Sequence, residues 1–147
     1  MTEEDIDRLM ATGGSGPELV IRQRSKLRSI THNARCVLAL IEDAIAQSDS
    51  ESQSAPQFGY FDAFIWNFVQ GQPQLNEWED ANSIPTHTET SIDMANALKK
   101  AGFRFVGPKI CYSLMQSCGL VVDHPIGTPE WESARETLQR AQRRHKS

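Results

Sequence analysis

Three groups of residues in this 147-residue chain have side chains that can do chemistry. The first is basic: Arg22, Arg24, Lys26, Arg28 and Arg35, with His32 between them, lie in a stretch from Val20 to Leu40 that holds no acid. Cations clustered in this way neutralise phosphates, and each phosphate neutralised adds salt-sensitive, sequence-independent affinity for nucleic acid. The second is aromatic. Phe58, Phe61, Phe64, Ile65 and Phe68 recur three and four apart around Trp66. Such a stripe suits a helix buried on one face. The third is a set of metal-ligating types that does not assemble. Cys36, Cys111 and Cys118 make no CxxC or Cys/His cluster, and His124 has no ligand spacing to His32, His87 or His145.

The elements that must position these groups read as helices. Ile6, Leu9 and Met10 set a short amphipathic segment over residues 3–11, broken by the glycine-rich string Gly13, Gly14, Ser15, Gly16, Pro17. A long helix follows, with Leu27, Ile30, Ala34, Val37, Leu38, Ile41 and Ile45 on one stripe. Residues 47–57, rich in Ser, Gln and Asp, read as a flexible insertion. The aromatic helix is ended by Gly71 and Pro73. Thr90 and Asp93 suggest a capping box for a helix from about Ser91 to Lys100, stopped at Gly102.

Pro108 is suited to the first turn of the next helix, whose Ile110, Cys111, Leu114, Met115 and Cys118 keep helical spacing up to Gly119. Thr128 and Pro129 start a last helix, residues 129–147, with a basic tail of Arg140, Arg143, Arg144 and Lys146. No segment alternates as a strand over a useful length, so the class is all-α, as one domain over residues 1–147. The three cysteines read as buried, reduced thiols. No leader and no membrane span is evident, which points to a soluble intracellular protein. The net charge of −4 argues against a general nucleic-acid binder, but the charge is unevenly spread and its position outweighs the sum.

Three strings are more specific than these patterns. IRQRSKL, from Ile21, followed by Asn33, Ala34 and Arg35, resembles the degenerate helix-hairpin-helix of the DNA-3-methyladenine glycosylase I family. FGYFDAFIWNFV, Phe58 to Val69, resembles that family's aromatic helix. The run from Gly102 to His124 resembles its C-terminal signature through Phe103, Phe105, Gly107, Cys111, Tyr112, Met115, Gln116, Gly119, Asp123 and His124.

The resemblance implies a helix-hairpin-helix DNA glycosylase-like helical domain, incomplete at its N-terminus. It implies hydrolysis of the N-glycosidic bond of alkylated adenine in base excision repair, on double-stranded DNA containing alkylated bases. No nucleotide cofactor or membrane partner is implied, and the setting is intracellular with DNA, nuclear in a eukaryote. Arg22, Arg24 and Lys26 become DNA contacts and Trp66 a base-pocket wall; no residue takes the catalytic role. In the family the histidine equivalent to His124 ligates a structural zinc together with a cysteine four positions on. Thr128 stands there in this chain, so no bound zinc is expected. The alternative reading is a catalytically silent helix-hairpin-helix module that binds DNA without lesion preference.

Overall fold

The computed structural model describes residues 1–11, 23–48 and 59–144. The hairpin glycines, Arg22, most of the 47–57 insertion, Phe58 and the end of the basic tail lie outside the described residues. The helices are α1 (Glu3–Ala11), α2 (Arg24–Ser48), α3 (Tyr60–Trp66), α4 (Glu89–Lys100), α5 (Pro108–Ser117) and α6 (Pro129–Arg144). None of them is long and apolar enough to cross a membrane. The chain divides into two compact units, Met1–Phe61 with Ala97–Val106, and Asp62–Asn96 with Gly107–Ser147.

In the first unit α1 is started by a reciprocal cap. The Asp5 amide donates to Thr2 Oγ1 at 3.2 Å, while the Thr2 amide donates to Asp5 Oδ2 at 2.7 Å. Ile6 of α1 and Leu27 of α2 are buried. The apolar stripe expected on α2 is not a continuous core face: Ile30, Leu38 and Ile45 are exposed. Length gives the reason within this unit, since nine residues of α1 span about 14 Å and twenty-five of α2 about 38 Å. After α4 the chain turns through a Schellman motif. Phe103 N–H reaches the Leu98 carbonyl at 3.0 Å and Gly102 N–H that of Lys99 at 2.9 Å, with Gly102 left-handed at φ +88°.

In the second unit the aromatic helix is shorter than its periodicity suggests. It tightens into a 3-10 turn over Asn67–Val69, then ends at two left-handed residues, Gln70 and Gly71. α4 starts at Glu89, two residues before the expected Ser91, because Thr88 is its cap and not Thr90. The Ser91 amide donates to Thr88 Oγ1 at 3.3 Å and the Thr88 amide to Ser91 Oγ at 2.9 Å, so a serine hydroxyl does what an acid was expected to do.

Two parallel two-residue strands, β1 (Gln74–Leu75) and β2 (Val121–Val122), were not foreseen, and both are too short to show alternation. They join the segment after α3 to the segment after α5. The core of the unit is Ile65, Val69, Met94, Ala95, Cys111, Tyr112, Met115, Leu120, Val121 and Trp131. On α5 the buried face runs through Cys111, Tyr112 and Met115, which turns Ile110 and Leu114 outward, at 59% and 37% exposed, although their helical spacing places them on the apolar stripe. Of the three thiols only Cys111 is buried; Cys36 is half-buried and Cys118, at the end of α5, is exposed.

Candidate nucleic-acid interface

α2 begins at Arg24, with Arg24, Lys26 and Arg28 exposed in its first turns. An exposed helix start offers unpaired amides and a partial positive charge to an anion, and the three cations add to it. α1 already supplies anions to two of them. Arg28 donates to Glu3 from Nε at 2.8 Å and from Nη2 at 2.7 Å, a bidentate pair, and Arg24 is bonded to Asp7 and lies 4.0 Å from Glu3. The Arg28 hydrogen bond holds the Glu3 carboxyl below its ordinary range. Lys26 forms no ion pair among the described residues. The structure thus brings Arg24 and Lys26 onto one helix end, and it shows an acidic counterpart that composition did not reveal.

One turn further along, α2 grips the loop that follows α4. Asn33 Nδ2 donates to the Arg104 carbonyl at 2.9 Å, and the Arg104 amide donates to Asn33 Oδ1 at 2.9 Å. His32 Nε2 donates to the Gly102 carbonyl at 2.8 Å, and that partner puts the proton on Nε2. In sequence Asn33 stands only in the string with Ala34 and Arg35, and His32 only among the cations of the basic stretch. The paired amide shows their work, and spacing alone has no signal for a contact seventy residues away.

Trp66 is the last residue of α3, half-buried, with its carbonyl accepting from Gly71 at 2.9 Å. In the same unit, Asp123 is a structural hub. Its Oδ1 accepts from Asn76 Nδ2 at 2.6 Å and from Trp78 Nε1 at 2.8 Å, and its Oδ2 from Gln116 Nε2 at 2.8 Å. Burial opposes its ionisation, but these donors outweigh burial and hold the carboxyl below its usual range. The buried Tyr112 hydroxyl beside it lacks a hydrogen bond of ordinary geometry, and burial, then proximity to this carboxylate, raises its pKa. Trp131 Nε1 closes the network onto the Asn76 carbonyl at 2.9 Å.

His124 is exposed and lines a cleft with Ile84, Gln116, Gly119 and Asp123. The residues present do not fit a structural zinc: among the described residues no group of three His, Cys, Asp or Glu side chains could hold a metal ion. Thr128, four positions on, is a helix cap. Its hydroxyl donates to the Pro125 carbonyl at 2.8 Å and accepts from the Trp131 amide at 3.3 Å.

Comparison with known proteins bears on this arrangement. The family described as methyladenine glycosylase matches residues 1–130. The chain is 42% identical over 127 residues to DNA-3-methyladenine glycosylase 1 of Escherichia coli K12, covering 86% of this chain and 58% of that protein. It is 41% identical over 124 residues to the DNA-3-methyladenine glycosylase of Haemophilus influenzae, covering 84% and 57%. It therefore spans a little under three-fifths of the curated relatives' length. A crystal structure of a 3-methyladenine DNA glycosylase I superposes with a TM-score of 0.69 at 40% identity, over 88% of this chain and 60% of that one. That of Staphylococcus aureus, solved for its recognition of 3-methyladenine, gives 0.64 at 29% identity, over 88% and 59%.

Proposed function

Since the chain belongs to the methyladenine glycosylase family, we propose that it acts in base excision repair as a DNA glycosylase that removes 3-methyladenine from duplex DNA. The observation that carries this is the family match over residues 1–130, which takes in the basic end of α2, the aromatic α3 and the α5 signature together. Chemistry supports it. A glycosylase extrudes its nucleotide from the stack before cleaving the N-glycosidic bond. Methylation makes 3-methyladenine cationic and a good leaving group, so the enzyme needs chiefly to stabilise oxocarbenium-like charge and to position water.

In this reading Arg24 and Lys26, with Arg22 ahead of them, contact phosphates and fix the protein on the duplex. Trp66 supplies an aromatic wall for the extruded base. No step of it is routed through zinc, since among the described residues no group of three His, Cys, Asp or Glu side chains could hold a metal ion. Incubation with methylated duplex DNA and chromatography of the released bases tests the activity. Free 3-methyladenine above the spontaneous background is expected; none at equimolar protein removes the activity and leaves the family assignment standing.

A second reading, a module that binds DNA without releasing a base, is favoured by one observation. Asp123 is the only acid between Gly102 and His124, and both its oxygens are occupied by Asn76, Trp78 and Gln116. Salt-dependent duplex binding, weakened by Arg24→Ala or Lys26→Ala and indifferent to lesions, together with no base release, selects it.

A further inference from the structure

The loop between α4 and α5 holds a non-glycine residue in a conformation that side chains rarely adopt. Phe105 has φ +57° and is 46% exposed. For a bulky residue the left-handed region is unfavourable and persists only where its surroundings impose it. Here they do. Just before it, the Arg104 amide and carbonyl are both bonded to the Asn33 side chain at 2.9 Å, and the Gly102 carbonyl is bonded to His32 at 2.8 Å. Phe103 is stacked on Phe61, with ring centroids 6.2 Å apart and planes 17° apart.

Of the two phenylalanines in FRF, one is thus anchored on another ring and the other is displayed. An apolar residue left 46% exposed at a conformational cost is only partly used in packing. Its surroundings indicate what it meets. Arg104, next to it in sequence, is exposed, as is Arg35, two residues beyond Asn33 on α2, and Asn33, which holds the loop, lies seven residues or about 10 Å along α2 from Lys26. An exposed aromatic ring on a loop held to a helix with exposed cations has the chemistry of a nucleic-acid stacking platform, where the ring takes the face of an unstacked base and the cations take flanking phosphates.

We propose that Phe105 is a stacking residue for an unstacked nucleobase of duplex DNA, presented by the loop that Asn33 and His32 clamp to the basic helix. This rests on the DNA-binding reading above. The test compares a duplex carrying a central tetrahydrofuran abasic analogue with the matched intact duplex, by fluorescence anisotropy at low salt, using the full chain. Phe105→Ala is expected to weaken binding to the abasic duplex by about tenfold, the order of one lost base–aromatic stack, with little change on the intact duplex.

Phe105→Trp is expected to retain the preference for the abasic duplex. Phe105→Gly, which relieves the left-handed backbone but gives up the buried half of the ring, is expected to stay folded by circular dichroism while losing that preference, which separates a ligand role from a folding role. Equal binding of Phe105→Ala and the parent to both duplexes overturns the proposal, as does an equal loss on both. If the parent binds the intact duplex and Arg24→Ala weakens it, such a result leaves the DNA-binding reading in place. If the parent binds neither duplex, both fall.

Discussion

Replacing Asp123 by Asn tests whether the second unit is built around this carboxylate. Asp123 Oδ1 accepts from Asn76 and Trp78 and Oδ2 from Gln116, so three donors converge on one charged group. An asparagine offers one carbonyl oxygen and an amine. Turned to keep the two inner donors, it sets its amine against the Gln116 amine and loses that bond; turned the other way, it loses two. Bonds to a charged group contribute about 1.5–3 kcal/mol each and neutral ones about 0.5–1.5. Weakening two and losing one costs about 3.5–6 kcal/mol, and relief of the burial cost of the charge offsets part of this, leaving about 2–4 kcal/mol, a large share of the roughly 5–15 kcal/mol that holds a folded domain.

For a chain of this size the thermal midpoint falls by about 10 °C. The sign with pH follows from the direction of the Asp123 shift. Its carboxyl titrates below the unfolded value of about 3.9, so the linked stability is fully present above that pH and is lost as pH falls through the lower folded pKa. Asparagine does not titrate, so the gap between parent and Asp123→Asn narrows as pH falls below about 4. Urea or thermal unfolding followed by circular dichroism reads both quantities. A loss at pH 7 smaller than about 1 kcal/mol, or a gap that stays constant into acid, refutes the hub reading.

Three further outcomes are expected. Neutralising the acids of α1 with Glu3→Gln and Asp7→Asn frees Arg28 and Arg24, so duplex affinity rises severalfold and its salt dependence steepens; filter binding across a salt series showing weaker binding contradicts this. Tyr112→Phe removes a buried hydroxyl that lacks a well-formed hydrogen bond, so stability changes by less than about 1 kcal/mol or rises, and a larger loss in a urea titration shows a bond to Asp123. Elemental analysis of the purified chain is expected to find no stoichiometric zinc, and one zinc per chain removes the assignment of Thr128 as a cap alone.

The cations at the start of α2 were legible because they are local, while the hairpin before them lies outside the described residues; the pairing of Arg24 and Arg28 with α1 was not legible, since acids seventeen and twenty-five residues away give no periodic signal. The α5 signature located its helix and its stop at Gly119, where Leu120 N–H bonds the Met115 carbonyl at 2.8 Å. It misjudged which side is buried. Helical spacing admits two neighbouring faces, and Tyr112 tipped the choice away from Ile110 and Leu114. In sequence Thr128 stands both where the family has a ligand and at the start of the last helix; its hydrogen bonds show it as the cap of α6.

By itself the sequence determined the family, the helical class, most helix ends and the basic character of α2, because each depends on residue types at short, regular spacing. Only the tertiary structure decided that Asn33 grips Arg104, that Asp123 joins three segments, and that Phe105 stands out in a left-handed conformation beside the basic helix. Those contacts link residues seven to seventy-one positions apart. No local propensity encodes them, because they come from where whole elements lie once their apolar faces have been buried.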